Sequence, residues 1–489
     1  MGKITLKPGI ATQGGFGTPM PENGIRNNTN SNTHLPPHPP VLCSKVLADG
    51  REDSWLEYIP DSFKPDSHPA LVISCHGGGA HADMQFSETS WCYLAETEGL
   101  IAVFPNAGGE RRSWLTEDDT PQLPGERPSM LDVFKSSPDG RVSEDAHHIK
   151  FISALIEEMK AKYNIDEGRV YMQGMSMGDI MTMMFARVCG RKLAGIDSTA
   201  GPSPEIALFD ENGEVKGFDC PVPVYQSRGE LDAIVVAKKD GQETTRQDIN
   251  AANRLFWLKV NGCDENPRLS IYGVNNFAYY TGSKANVVFR DVKHRAHGQT
   301  FDDAQWAWHT LFKGSRRNPD GSISCCDTAL SAKGDTGAAA LCDGGRYAYI
   351  NNSKVRLSAP VRSRGLGNMD FATHGMKDIK TELYVPLDFL TLYFGVPTEQ
   401  SAEGEAVIHA PCGDLALSAE NIGCVRGTFI ESLFVAPMVQ DGVFYVPVRW
   451  FAEMIFNMQV TECDGAMYIS DHHGEMSKDM AYLIHSLLK

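Results

Sequence analysis

Residues 171–186 read YMQGMSMGDIMTMMFA, and the rest of the chain is organised around them. Their centre is Gly174-Met175-Ser176-Met177-Gly178, a G-x-S-x-G pattern. The preceding RVYMQ is β-type, and the following DIMTMMFARV is apolar at helical spacing. Strand, sharp turn and helix with Ser at the apex form the context of a nucleophile elbow. The reason is steric. The turn strains Ser176, and glycines at 174 and 178 relieve the crowding. The hydroxyl then projects from the end of a sheet, with a helix N-terminus behind it that favours negative charge.

Around this stretch the pattern is that of a doubly wound sheet. WLEYIP alternates like an antiparallel strand. ALVISC and LIAVFP are short apolar runs suited to strands buried on both faces. SETSWCYLAETEG, EDAHHIKFISALIEEMKAKY, TRQDINAANRLFWLKVNG and DDAQWAWHTLFKGS read as helices, and NVVFRDV is the last clear strand of this part. Strands alternating with helices over so long a span predict an α/β fold with a mostly parallel sheet. Residues 1–40, rich in Gly, Asn and Pro, read as an arm or linker. The catalytic part is expected over 41–316, a linker over 317–339, and a smaller duplicated α+β domain over 340–489. The duplication shows in Tyr384-Val385-Pro386 and Tyr445-Val446-Pro447, each followed by an apolar or aromatic helical stretch. Proline at the first helical position is the expected reason for the repeat.

The 489 residues are 42% hydrophobic and 22% charged, with a formal net charge of −17. An acidic chain argues against nucleic acid and anionic membranes as partners. No apolar run has the length of a spanning helix. The N-terminus shows no apolar h-region, so the sequence as it stands reads as cytoplasmic, or as secreted if a leader has been removed. The twelve cysteines show no zinc-type C-x-x-C pairs. The neighbours His147-His148 and His472-His473 are poorly spaced for chelation, so no metal and no cofactor is expected.

Ester hydrolysis needs a nucleophile, a base, a group that orients the base, and donors for an oxyanion. Behind Ser176 the order acid, then His, is available. Asp232 follows the apolar run PVPVYQ and Gly229, with Glu230 as its competitor. His297 stands before the last helix, with His294 as competitor; Gly298 suits a tight loop there. His76-Gly77-Gly78-Gly79 follows a buried strand, and its glycines let backbone N–H groups approach a substrate oxygen. Gly77, Gly78 and Met177 are the expected oxyanion donors. Trp114, and Arg111 or Arg112, lie in a loop after LIAVFP and are candidates for substrate contact, with packed Trp and solvated Arg as the alternative.

HGGG, then LAETEGLIAVFPNA, then DEGRVYMQGMSMGDIMTMMFA resembles the feruloyl esterase / polyhydroxybutyrate depolymerase branch of the α/β-hydrolases over about residues 40–315. The resemblance implies a serine esterase acting through an acyl-enzyme, with Ser176, Asp232 and His297 as its triad. It implies feruloyl or aryl esters of plant material, free or polysaccharide-linked, with a polyester depolymerase as the alternative. Asp179 departs from the family, which usually has Gly there, and is expected to narrow the pocket beneath the nucleophile. Residues 340–472 are similar to the copper amine oxidase N-terminal-like domain through Val446-Pro447-Val448-Arg449; Val385-Pro386-Leu387-Asp388 lacks the Arg. That module is a candidate for polysaccharide binding, homo-oligomerisation or covering the site. A reading of another class is a binding or adhesion protein with a vestigial hydrolase part.

Overall fold

The computed structural model describes residues 4–8, 34–108, 112–115, 139–233, 238–239, 242–326, 334–365, 381–401 and 403–489. The chain divides into two compact units. The first comprises 1–265, 279–290 and 295–332; the second comprises 266–278, 291–294 and 333–489.

The first unit is built on a twisted sheet. Its strands are β1 (Val41–Ala48), β2 (Arg51–Tyr58), β3 (Leu71–Cys75), β4 (Ile101–Pro105), β5 (Val170–Met175), β6 (Gly195–Thr199), β7 (Val224–Gly229) and β8 (Val287–Val292). They lie in the order β8-β7-β6-β5-β3-β4-β2-β1. From β4 through β3, β5 and β6 to β7 the neighbours are parallel; β1 and β2 are antiparallel additions on the β4 side. The central strands are wholly buried, which their unbroken apolar runs require. Helices α1 (Ala82–Glu88), α2 (Trp91–Glu98), α3 (His147–Tyr163), α4 (Met177–Cys189), α5 (Arg246–Asn261) and α6 (Asp303–Thr310) alternate with them. The strand order reverses at β3. From there the chain goes to β4 on one side and later to β5 on the other. Such a reversal opens a crevice at the carboxyl ends of the flanking strands.

Residues 317–325, read above as part of a linker, begin inside this unit. Ser315–Arg317 pairs with Ile323–Cys325. Buried Arg317 donates to the carbonyls of Leu193 and Gly190 at 2.9 and 3.1 Å.

The second unit is β-rich. Its core gathers apolar residues from short antiparallel sheets around Phe389, Phe444, Val446, Trp450 and Met467. The two Tyr-Val-Pro copies end strands Thr381–Pro386 and Val443–Pro447, which pair antiparallel: Tyr384 faces Pro447, Val385 faces Val446, and Pro386 faces Tyr445. The prolines therefore close the strands, and neither occupies the first helical position. Pro386 lies two residues before the helix Asp388–Phe394, and Pro447 is the N-cap of the next. A strand end tolerates the missing N–H just as a helix start does. Among the described residues no helix is long and apolar enough to cross a membrane.

Candidate active site

Ser176 follows β5 and precedes α4 with φ 58° and ψ −115°. A non-glycine residue pays for this conformation in strain. Packing imposes it. A Cβ on Gly174 would lie 2.0 Å from the Gly178 carbonyl oxygen, and one on Gly178 would lie 2.2 Å from the Cys75 carbonyl oxygen. The elbow closes only because both positions lack side chains.

The glycine turn and the serine meet because their strands are neighbours. β3 and β5 run parallel with Cys75 opposite Gly174, so Gly77 and Ser176 each stand two residues beyond that pair. A Cβ on Gly77 would come within 3.6 Å of Ser176 Cβ, and one on Gly78 within 2.9 Å of Met177 Cγ. Gly77 thus lies against Ser176, and Gly78 against the side chain of Met177.

The turn is held from beneath. His76 is fully buried; its Nε2 accepts from Ala107 N–H at 3.0 Å and its Nδ1 donates to the Gly77 carbonyl at 2.7 Å. Burial pushes its pKa down to about 4, which keeps the ring neutral and this pattern intact. Trp114 is also fully buried, with its indole N–H on the His76 carbonyl at 2.8 Å and its ring against His76 and His148. This corrects the expected contact between Trp114 and substrate: no face of the ring is open, and its work is to support the glycine turn. Arg111 lies outside the described residues; Arg112 bonds His81.

His297 Nε2 is 3.0 Å from Ser176 Oγ. Its Nδ1 is 3.1 and 3.2 Å from the two oxygens of Asp232. A carboxylate on Nδ1 fixes the tautomer that leaves Nε2 ready to take the serine proton. Asp232, three residues past β7, is therefore the carboxylate on this histidine, and Glu230 is buried elsewhere in the same loop. His294 instead faces Glu475 at 2.8 Å, within the second unit.

Two supports were not readable beforehand. Gln299, two residues past His297, donates to Gln85 and Glu88 at 3.0 and 3.1 Å and accepts from Gln173 at 3.2 Å. Ser74 and Gln85 join the same network, which ties the histidine loop to β3, α1 and β5. Asp179 does not narrow the pocket, because its buried carboxylate turns inward. It accepts from Gly201 N–H at 2.7 Å and pairs with buried Arg228 at 3.3 Å. The apolar wall comes from methionine: Met181, Met183 and Met184 are core, whereas Met175 and Met177 are half-buried at the site. Met175 Sδ would touch a Cβ on Gly77 at 3.1 Å, and its methyl one on Gly298 at 3.8 Å.

Residues 63–253 match the phospholipase/carboxylesterase family. The first unit has the α/β-hydrolase fold. The chain is 28% identical over 260 residues to feruloyl esterase B of Piromyces equi, across 51% of this chain and 43% of that protein. It is 27% identical over 178 residues to a bifunctional acetylxylan esterase/xylanase of Neocallimastix patriciarum, across 36% and 21% of the two chains. It is 27% identical over 148 residues to a poly(3-hydroxybutyrate) depolymerase of Ralstonia pickettii, across 29% and 27%. The chain spans less than half the length of each of these relatives.

Proposed function

We propose that the α/β-hydrolase unit is a serine carboxylic-ester hydrolase that acts through an acyl-enzyme on feruloyl or related aryl esters of plant cell-wall material. The observation that carries this reading is the continuous line from Asp232 through His297 to Ser176 Oγ beside the glycine turn. His297 takes the serine proton as Oγ attacks the ester carbonyl, and Asp232 stabilises the imidazolium that forms. The oxyanion sits against backbone N–H groups of Met177 and the Gly77-Gly78 turn, where charge develops in the transition state. His297 then protonates the leaving alcohol, and water releases the acid by the same route.

The feruloyl assignment leans on the Piromyces relative, whose match spans about half of this chain. The Ralstonia relative supports a second reading, polyester hydrolysis. The second unit is read as an accessory domain that does not contribute to this line of residues.

The test is turnover of methyl ferulate, p-nitrophenyl acetate, acetylated xylan and a hydroxybutyrate oligomer by wild type and Ser176→Ala. Ser176→Ala is expected to lower turnover by about 10³-fold or more with melting unchanged. Highest turnover on the oligomer would move the function to polyester hydrolysis. Activity retained by Ser176→Ala would sink the serine mechanism, and a folded wild type without activity would favour a binding role.

A further inference from the structure

A cluster in the first unit has a charge requirement that the esterase reading does not use. The His38 ring lies flat on Tyr58, with centroids 4.3 Å apart and planes within 4°. Its Nδ1 is 3.1 Å from the Pro39 carbonyl oxygen. A carbonyl only accepts, so Nδ1 carries a proton, and in that tautomer of the neutral imidazole the lone pair is at Nε2. That lone pair faces Glu96 Oε1 at 3.3 Å and Asp61 Oδ1 at 3.8 Å. Nε2 is shut away from solvent, and among the described residues no donor reaches it. Three electron-pair donors therefore converge within 4.8 Å of one another, which is repulsive unless a positive charge sits between them.

The surroundings resemble the support of a metal site and not that of a chance salt bridge. The second nitrogen of the imidazole is committed to a backbone carbonyl, the usual way a ligating histidine is oriented. Glu96 lies in the last turn of α2 and is itself fixed: Tyr58 Oη donates to Oε1 at 2.8 Å, and Asp61 N–H approaches its two oxygens at 3.4 and 3.3 Å. Asp61 stays largely exposed, leaving that side open to water.

We propose that His38 Nε2, Glu96 and Asp61 bind one divalent transition cation of the zinc type, with water completing the shell. One imidazole nitrogen and two carboxylate oxygens suit that class, whereas magnesium and calcium prefer an all-oxygen shell. The ion would clip the segment leading into β1 to the loop after β2 and to the end of α2. It lies outside the Ser176 site, so its role is to hold this edge of the unit together.

The test uses chelator-treated full-length protein at pH 7.5, with zinc chloride followed by calorimetric titration, metal content by mass spectrometry, and thermal melting. Wild type is expected to hold one zinc that both His38→Ala and Asp61→Asn lose, with affinity at least about tenfold weaker, and to melt higher with zinc than without. Asp61→Asn changes an exposed side chain, so its effect is not one of packing. Calcium chloride is expected to give no such shift. Zinc binding that neither substitution alters, or none at all in wild type, would overturn the proposal and leave a proton on His38 as the bridging charge.

Discussion

Each unit buries an arginine against carboxylates, and the two arrangements differ in balance. In the first, Arg228 meets one carboxylate, Asp179, and spends its other donors on the Ser198 carbonyl at 2.6 Å, Ser198 Oγ at 3.0 Å and the Ser227 carbonyl at 3.0 Å. In the second, Arg449 gathers three carboxylates: Glu462 at 2.7 Å, Glu453 at 3.1 Å and Glu382 at 3.9 Å. One guanidinium cannot neutralise three. Glu453 and Glu462 reach water, but Glu382 is buried, and burial pushes its pKa up to about 8. Asp179 is also raised by burial, but only to about 6, because Arg228 is its own counter-ion. A matched buried pair stays charged at neutral pH, whereas an excess carboxylate stays neutral by holding its proton.

The largest effect that would break this contrast is at the matched pair. Asp179→Ala leaves the Arg228 guanidinium buried without a carboxylate, and is expected to cost the first unit about 3–5 kcal/mol in urea unfolding. A loss under about 1 kcal/mol would mean that the three neutral oxygens suffice for Arg228. Arg449→Met is expected to cost less, about 1–3 kcal/mol, since two of its carboxylates can turn to water and the third is already protonated. Calorimetry that resolves the second unit would check it; a cost equal to that of Asp179→Ala would erase the distinction.

The smallest effect is in pH dependence. Glu382 holds its proton to about pH 8 when folded, against an ordinary value of 4.5 once unfolded. The folded state therefore binds more protons between these values. Its stability from this group is full below about 4.5 and is lost as pH rises to about 8. The melting temperature of the second unit should fall across that window, and Glu382→Gln should flatten the slope. An unchanged slope in Glu382→Gln would assign the titration to another group.

What could be read from sequence was local. The elbow follows from two glycines spaced around a serine, and the serial order of Ser176, Asp232 and His297 anticipates the line of hydrogen bonds, because in a doubly wound sheet each strand end delivers its loop to the same edge. Trp114 could not be placed that way. Whether an aromatic in a loop is open or packed depends on what lies beneath it, here His76 and His148. Asp179 looked like an intrusion into the pocket because its partner, Arg228, lies 49 residues away. Gln85, Gln173 and Gln299 carry no spacing signal at all, since glutamines at such separations become a network only once three elements have been packed together. His38, Asp61 and Glu96 carry no spacing signal for the same reason, since only the fold brings them together.

The paired Tyr-Val-Pro strands set a rule of self-complementarity. Val385 and Val446 hold the middle position of the two Tyr-Val-Pro stretches, and they lie opposite one another, both fully buried. Whatever residue occupies that position in an exact duplicate must fit against itself. Valine does; a charge would meet its own sign. Three residues beyond this pair the two stretches differ. Asp388 accepts from the Ser358 backbone N–H and hydroxyl at 2.7 and 2.8 Å, while its counterpart Arg449 gathers glutamates. The facing valines demand a match, and three residues on, each stretch takes up separate work.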